Sequence, residues 1–253
     1  MPAVGGVARR ATLIGNERRQ NPHVLVLDAG DSLAGDQEPA LRTAGATSIT
    51  AMNRLGYDAM TLGGRDLALG SAALKRRIAD AKFAILSANA VYAATGQLVA
   101  QPYVVREVGG LRVAVVGLTE AGDVREFAVR DPLTTAQKIV LEAAGQADVV
   151  IVLSHAGADV DQQIADSVPG IAAVVSGGPG ALADAWRSAK TGTLRLHADQ
   201  GSPGHAGRLI GIGRLTFDRQ RKLADYTWRV QPLDPTVPDD AAMTAWVKQQ
   251  LAR

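Results

Sequence analysis

The chain contains no cysteine. Disulfide bonds, cysteine-ligated zinc and thiol nucleophiles are therefore excluded, while the compartment is left open. Aromatic residues make up 4% of the sequence, too few for a platform on which nucleic-acid bases stack. Charge of one sign is scarce as well. The formal net charge is +2, and the 27 lysines and arginines are spread along the chain. Short clusters such as "ARR", "ERR" and "KRR" fall on helical patterns and read as solvated helix faces, so no nucleic-acid partner is expected. No apolar run reaches the roughly 18 residues that a membrane span needs, and no membrane partner is expected. The opening "MPAVGGVARR" lacks the apolar core of a signal peptide. The sequence names no localisation.

What is present is apolar residue, 47% of 253 positions, enough for one sizeable core. Short β-type runs alternate with helical patterns. "HVLVLDAGD" reads as a buried strand, preceded by a helical stripe of Val7, Ala8, Ala11 and Ile14. "LRTAGATSITAMNRLG" reads as a helix closed by Gly56. Ser71 is placed as the N-cap of "SAALKRRIADA". Gly109-Gly110 between two β-rich runs predicts a tight hairpin. Asp131-Pro132 reads as a cap followed by the first helical position. "DVVIVLSHAG" and "IAAVVSGG" read as strands separated by a helix near 159–168. After Gly192, three β-type runs predict an antiparallel meander, and a final helix is capped by Asp239 or Asp240. The expectation is one domain over residues 1–253, with two packed sheets and helices outside.

In α/β sheets, ligands gather beyond the carboxyl ends of the strands. Those ends carry Asp28 and Asp31, then Arg65 and Asp66, Asn89, His155, and Gly177 with Gly178. An aspartate after a strand is ordinarily a turn former. Aspartates, an asparagine and a histidine on one edge together resemble the oxygen-and-imidazole set of hard or borderline metals.

These segments, in their order, carry a resemblance. "GGVARRATLI", "NPHVLVLDAGDSLAGD", "AMNRLGYDAMTLGGRDLALG", "FAILSANAVYAATGQLVAQPYVV", "VGGLRVAVVGLT", "ADVVIVLSHAG" and "VPGIAAVVSGG" resemble the metallophosphatase domain of the 5′-nucleotidase family, among the calcineurin-like phosphoesterases. The resemblance implies a four-layer α/β/β/α sandwich. It also implies two divalent metals at the strand ends, where a metal-activated water attacks a phosphate ester.

The family's metal motifs match this chain unevenly. The Asp-x-His motif lies on a strand before the "GG-ARRA" helix. The chain starts at that helix, so the resemblance implies that this first core strand is missing. The bridging aspartate of the Gly-Asp motif matches Asp31. In the Gly-Asn-His-Glu/Asp motif, Gly64 stands for the metal-binding asparagine, Arg65 for the histidine that assists at the phosphate, and Asp66 for the acid. His155 matches a histidine ligand. In the Gly-His-x-His motif, Pro179 and Ala181 replace both histidines.

The resemblance thus implies that Asp31 and His155 are remnant metal ligands. Asp66 and His205, in the loop "GSPGHAG", are further candidates, while Asn89 and Gly178 are candidate binding residues. His197 alternates with Leu194 and Leu196 and reads as structural or exposed; His23 lies at the amino end of its strand. Zinc normally takes three or four protein ligands, and magnesium with fewer relies on substrate phosphates. No tightly bound cofactor is expected; a divalent metal (Mn, Zn or Mg) is the alternative. Arg65 can hold a small anion or phosphate ester without a metal, or simply pair with Asp66 or Asp31.

The expected function is a degenerate 5′-nucleotidase-like domain that binds or supports and performs no dinuclear hydrolysis. One alternative is an active phosphoesterase with a rearranged or single-metal site. Another is a subunit whose sheet is completed by a protein partner or a second copy. The family's C-terminal nucleotide-specificity domain is not expected in this chain.

Overall fold

The computed structural model describes residues 5–34, 39–178, 185–198 and 207–252. Helix α1 (Val7–Gln20) leads to β1 (Leu27–Asp28), α2 (Ala46–Leu55) and β2 (Ala59–Thr61). A single turn, α3 (Gly64–Leu67), and α4 (Ser71–Asp80) precede β3 (Ala84–Leu86) and β4 (Ala90–Tyr92). The hairpin β5 (Tyr103–Val108) and β6 (Leu111–Thr119) follows, then β7 (Gly122–Val124), β8 (Phe127–Val129) and α5 (Pro132–Ala144). Next come β9 (Val149–His155), α6 (Ala158–Ser167), β10 (Ala173–Ser176), β11 (Trp186–Arg187) and β12 (Leu194–His197). The long hairpin β13 (Leu209–Phe217) and β14 (Leu223–Pro232) precedes α7 (Ala241–Leu251).

Among the described residues, β1-β2-β3 form a parallel sheet, and a larger one runs in the order β11-β12-β10-β9-β6-β5. Strand β6 explains the layering. Val113 and Val115 point into the core between the two sheets, where they join Ala59, Leu86 and Leu153. Ala114, Val116 and Leu118 point the other way, under α5 and α6. A strand stretch buried on both faces has to be apolar, as "VAVVGL" (113–118) is. Each fully buried valine or leucine contributes about 1.5–3 kcal/mol. Helices α1, α2, α4 and α7 cover the outer face of the smaller sheet, around Ile49, Met52, Leu74 and Trp246. The sandwich is α/β/β/α, as expected.

Polar groups join the two sheets at their carboxyl ends. The Thr61 hydroxyl reaches the carbonyls of Leu86 and Leu118, and the Thr119 hydroxyl donates to Leu62 O at 2.8 Å. Asn89 spends its whole amide here. Its Nδ2 donates to Thr119 O and Arg130 O, and its Oδ1 accepts from Thr119 N–H. Thr61, Ser87, Asn89 and Thr119 are all fully buried. Asn89 thus serves the architecture, and its amide is not turned to a ligand.

Several local expectations need correction. Ser71 is the first helical residue of α4 and Gly70, with φ of 81°, is the N-cap. The left-handed turn there requires glycine, which displaces the cap by one residue. The run after Gly192 is not a simple meander. β12 lies parallel to β10, and only β13 and β14 form an antiparallel hairpin. "LRLH" is buried throughout and enters the large sheet, where both faces are covered. Asp131 and Asp240 do cap their helices, accepting from Thr134 N–H and Met243 N–H.

The two sheets approach tightly at Gly117. A Cβ there would meet Leu86 Cβ at 2.5 Å and its carbonyl carbon at 2.8 Å. Gly117→Ala is expected to destabilise the fold by about 1–3 kcal/mol through overpacking. Urea unfolding measures this, and an unchanged midpoint contradicts the tight crossing.

Candidate functional site

The site forms where β1, β2, β6 and β9 end. β1 leaves its sheet through Gly30 (φ 99°) and Asp31, which holds a left-handed φ of 60°. Such a conformation is uncommon for a residue with a side chain and persists only where its surroundings enforce it. The enforcing group is Asp66. Its carboxylate accepts the N–H groups of Asp31 (2.9 Å), Leu33 (2.9 Å) and Gly63 (3.0 Å). Asp66 lies at the third position of α3 and reaches back to the residue before the helix, half of a capping box. It is fully buried. Burial pushes its carboxyl up to about 7, against the lowering effect of the Gly63 N–H. Because backbone N–H groups occupy both oxygens, Asp66 ties two loops together and is not turned outward as a ligand.

The side chain of Asp31 meets His155. His155 Nε2 lies 3.2 Å from Asp31 Oδ2, and His155 Nδ1 lies 2.6 Å from the Ala29 carbonyl. Each ring nitrogen faces an acceptor, an arrangement that a doubly protonated ring satisfies. Burial alone would lower its pKa, but the hydrogen bond and charge of Asp31 prevail and raise it to about 9. Burial likewise works to raise Asp31, yet His155 and the Arg65 N–H bring it below its ordinary value. Arg65 N–H donates to Asp31 Oδ1 at 2.8 Å, and its guanidinium Nε lies 3.9 Å from Oδ2. Of the two pairings expected for Arg65, the Asp31 one is present. Its side chain is 61% exposed.

His155 sits in a cradle of glycines. A Cβ at Gly30 or Gly177 would come within 2.9 Å of Nδ1, and one at Gly63 within 2.9 Å of Cδ2. One at Gly178 would lie 3.4 Å from Nε2. That is an ordinary contact, and what calls for glycine at Gly178 is its φ of 77°. Behind the ring, Asp161 of α6 accepts the Ser154 hydroxyl, and Ser154 Oγ accepts Ala156 N–H at 3.1 Å. This buried relay fixes the backbone on both sides of His155; burial raises the Asp161 pKa.

Glu120, just past β6, escaped the sequence reading. Its Oε1 accepts Gly64 N–H at 3.0 Å, and its charge helps raise the His155 pKa. "VVGLTE" carried a signal, since the strand-end rule that selected Asp31 also selects an acid after β6. Pro179, Ala181 and His205 lie outside the described residues. His197 is buried on β12, in register with Ser176, and His23 lies against Gly109 at the opposite end.

As a metal centre, the set is thin. Asp31 Oδ2 and His155 Nε2 converge, but no group of three or more histidine, aspartate or glutamate side chains suited to a metal occurs among the described residues. Position 64 offers no side chain, and a guanidinium stands beside Asp31. These residues do not fit a dinuclear centre.

The three pKa shifts set a pH dependence. His155 stabilises the fold fully below its ordinary pKa of 6.5, and that contribution is lost as pH rises through about 9. Asp31 contributes above 3.8, and its contribution is lost as pH falls through its lowered value. Asp66 folds more readily when protonated, so stability falls as pH rises from 3.8 to about 7. Between pH 6.5 and 9 the wild type is expected to lose up to roughly 3 kcal/mol. His155→Gln should flatten that limb of urea midpoint against pH; an unchanged slope refutes the ion pair. Asp66→Asn places an amide NH2 against backbone donors. It should cost about 1–3 kcal/mol at pH 8, read by the same unfolding.

No family model matches the chain. A bovine (Bos taurus) 5′-nucleotidase is 36% identical over 188 residues, 69% of this chain and 32% of that protein. A snake venom 5′-nucleotidase from Gloydius brevicauda is 37% identical over 190 residues, 68% of this chain and 31% of that protein. The chain thus spans about a third of the length of these curated relatives. In structure it is similar to a 5′-nucleotidase precursor from Thermus thermophilus, with a TM-score of 0.84 at 27% identity, over 99% of this chain and 54% of that one. A calcineurin-like phosphoesterase of Bacillus subtilis gives a TM-score of 0.77 at 22% identity, over 99% of this chain and 89% of that one. Strand order, site position and these relatives agree, and the chain belongs to the 5′-nucleotidase family as a metallophosphatase-type domain.

Proposed function

We propose that this domain is a degenerate 5′-nucleotidase-like module that binds or supports and does not carry out dinuclear hydrolysis. The observation behind this reading is the Asp31–His155 ion pair. Carboxylate and imidazole face each other directly, and their mutual pairing takes up the two groups that would share a cation. Arg65 adds a positive charge beside the same carboxylate. A small anion or a phosphate ester is the ligand class that such a guanidinium suits. The test is metal content and turnover together. Protein purified with added Mn²⁺ and Zn²⁺ should retain less than one tightly bound equivalent. It should also hydrolyse 5′-nucleotides and simple phosphate esters no faster than a blank. Two tightly held equivalents overturn the reading.

One observation favours a second reading, a single-metal phosphoesterase. The Nδ1–H···O=C bond to Ala29 aims Nε2 at Asp31, the arrangement that orients metal-ligating histidines. In that case metal-stimulated turnover appears, and Asp31→Ala abolishes it. Turnover unaffected by Asp31→Ala rules the second reading out.

A further inference from the structure

Ser154 is a junction at the end of β9. Its hydroxyl donates to Asp161 Oδ1 and accepts the Ala156 N–H at 3.1 Å, while its carbonyl accepts the Gly177 N–H at 2.7 Å. One residue thus ties together α6, the loop after β9 and the turn after β10. Ser154 and Asp161 are both fully buried. Successive strand residues face opposite ways, so Ser154 faces α6 while the His155 ring faces Asp31.

Tolerances on the ring side are small, and they are set by backbone. The Ala29 carbonyl that pairs with His155 Nδ1 is packed against Gly177. A Cβ at Gly177 would stand 2.3 Å from that oxygen and 2.9 Å from Nδ1. A displacement of Gly177 or of the β9 end therefore moves the ring off its acceptor. The bond that ties Gly177 to β9 is the one from Ser154.

Asp161 is an unfavourable residue to bury here, since it has no ion pair among the described residues. Burial raises its pKa, and the hydroxyls of Ser154 and Ser176 and the charge of Arg195 offset this in part. An apolar side chain of similar size would avoid that cost. It would also leave the Ser154 hydroxyl without its acceptor.

We propose that Asp161 is the positioning residue of this site, acting from the α6 side of the sheet through Ser154 to fix the seat in which the Ala29 carbonyl orients the His155 ring. The inference goes beyond the reading of the domain as a binding module, because the same seat would serve a single-metal site.

The test reads the His155 Nδ1–H proton. A carbonyl can only accept, so the 2.6 Å contact with Ala29 O requires hydrogen on Nδ1. A buried proton bonded in this way gives a slowly exchanging, downfield magnetic resonance signal. The chain has four histidines, so isotope-labelled histidine leaves few signals, and His155→Gln assigns this one. The signal should be present in the wild type and kept in Asp161→Asn, whose amide oxygen still accepts from Ser154. It should be lost in Asp161→Leu. Ser154→Ala should lose it too, which decides the matter if the leucine variant does not fold. Ile164, fully buried on the same helix, supplies the control. Ile164→Ala opens a cavity and should lower the urea midpoint while keeping the signal. The proposal fails if Asp161→Leu or Ser154→Ala, when folded, keeps the signal, or if Asp161→Asn loses it. It fails as well if folded Ile164→Ala loses it, since the seat would then respond to any loosening of α6. Absence of the signal from the wild type overturns it, because the Ala29 bond is its premise. Metal content and turnover of the wild type bear on the functional reading alone.

Discussion

A carboxylate with no charged partner among the described residues organises this site. Asp66 is sealed from water and held by three backbone N–H groups from two separate loops. Burying a charge or a polar group is unfavourable unless hydrogen bonds compensate, and these N–H groups would themselves be orphaned without the acid. The arrangement is mutual. Removing the acid leaves unpaired donors in the turns after β1 and β2. The left-handed backbone at Asp31, and hence the aim of its side chain, follows from this one clamp.

The rest of the site follows from the aim of Asp31. Its carboxylate faces His155, which is backed by the Ala29 carbonyl and enclosed by glycines. The cradle has no space for a bulkier ring environment, so His155 is confined to one orientation. The groups that hold Asp66 and back His155 come from the backbone, and the cradle around the ring comes from glycines. Position 64 shows the same economy of space, with a glycine on α3 facing an acid just past β6.

Much of the fold was legible because its signals are local. Apolar runs such as "VAVVGL" encode strands covered on both sides, Gly109-Gly110 encodes a hairpin, and Asp131 encodes a cap. The direction of β12 was not legible. Whether a strand pairs with its sequence neighbour or crosses to β10 is decided by which faces must be buried, and that is a property of the assembled sheets. At the site, Asp31 and His155 could be read as neighbours from strand-end position and resemblance. Asp66 could not be read as a clamp, since its partners are backbone N–H groups that every sequence has. Asn89 looked like a ligand for the same reason: an amide at a strand end reads alike whether it faces outward or, as here, spans two sheets.

The polar stitch across the sandwich limits how this molecule can move. Thr61, Asn89 and Thr119 each bond a carbonyl or N–H at a defined step along a neighbouring strand or loop. Sliding one sheet over the other by a single residue would strand all of these buried groups at once. Shear between the layers is therefore closed to this fold as a way of opening the strand-end cleft. Any widening has to come from hinge rotation in the loops that follow the strands, with the two sheets moving as one block.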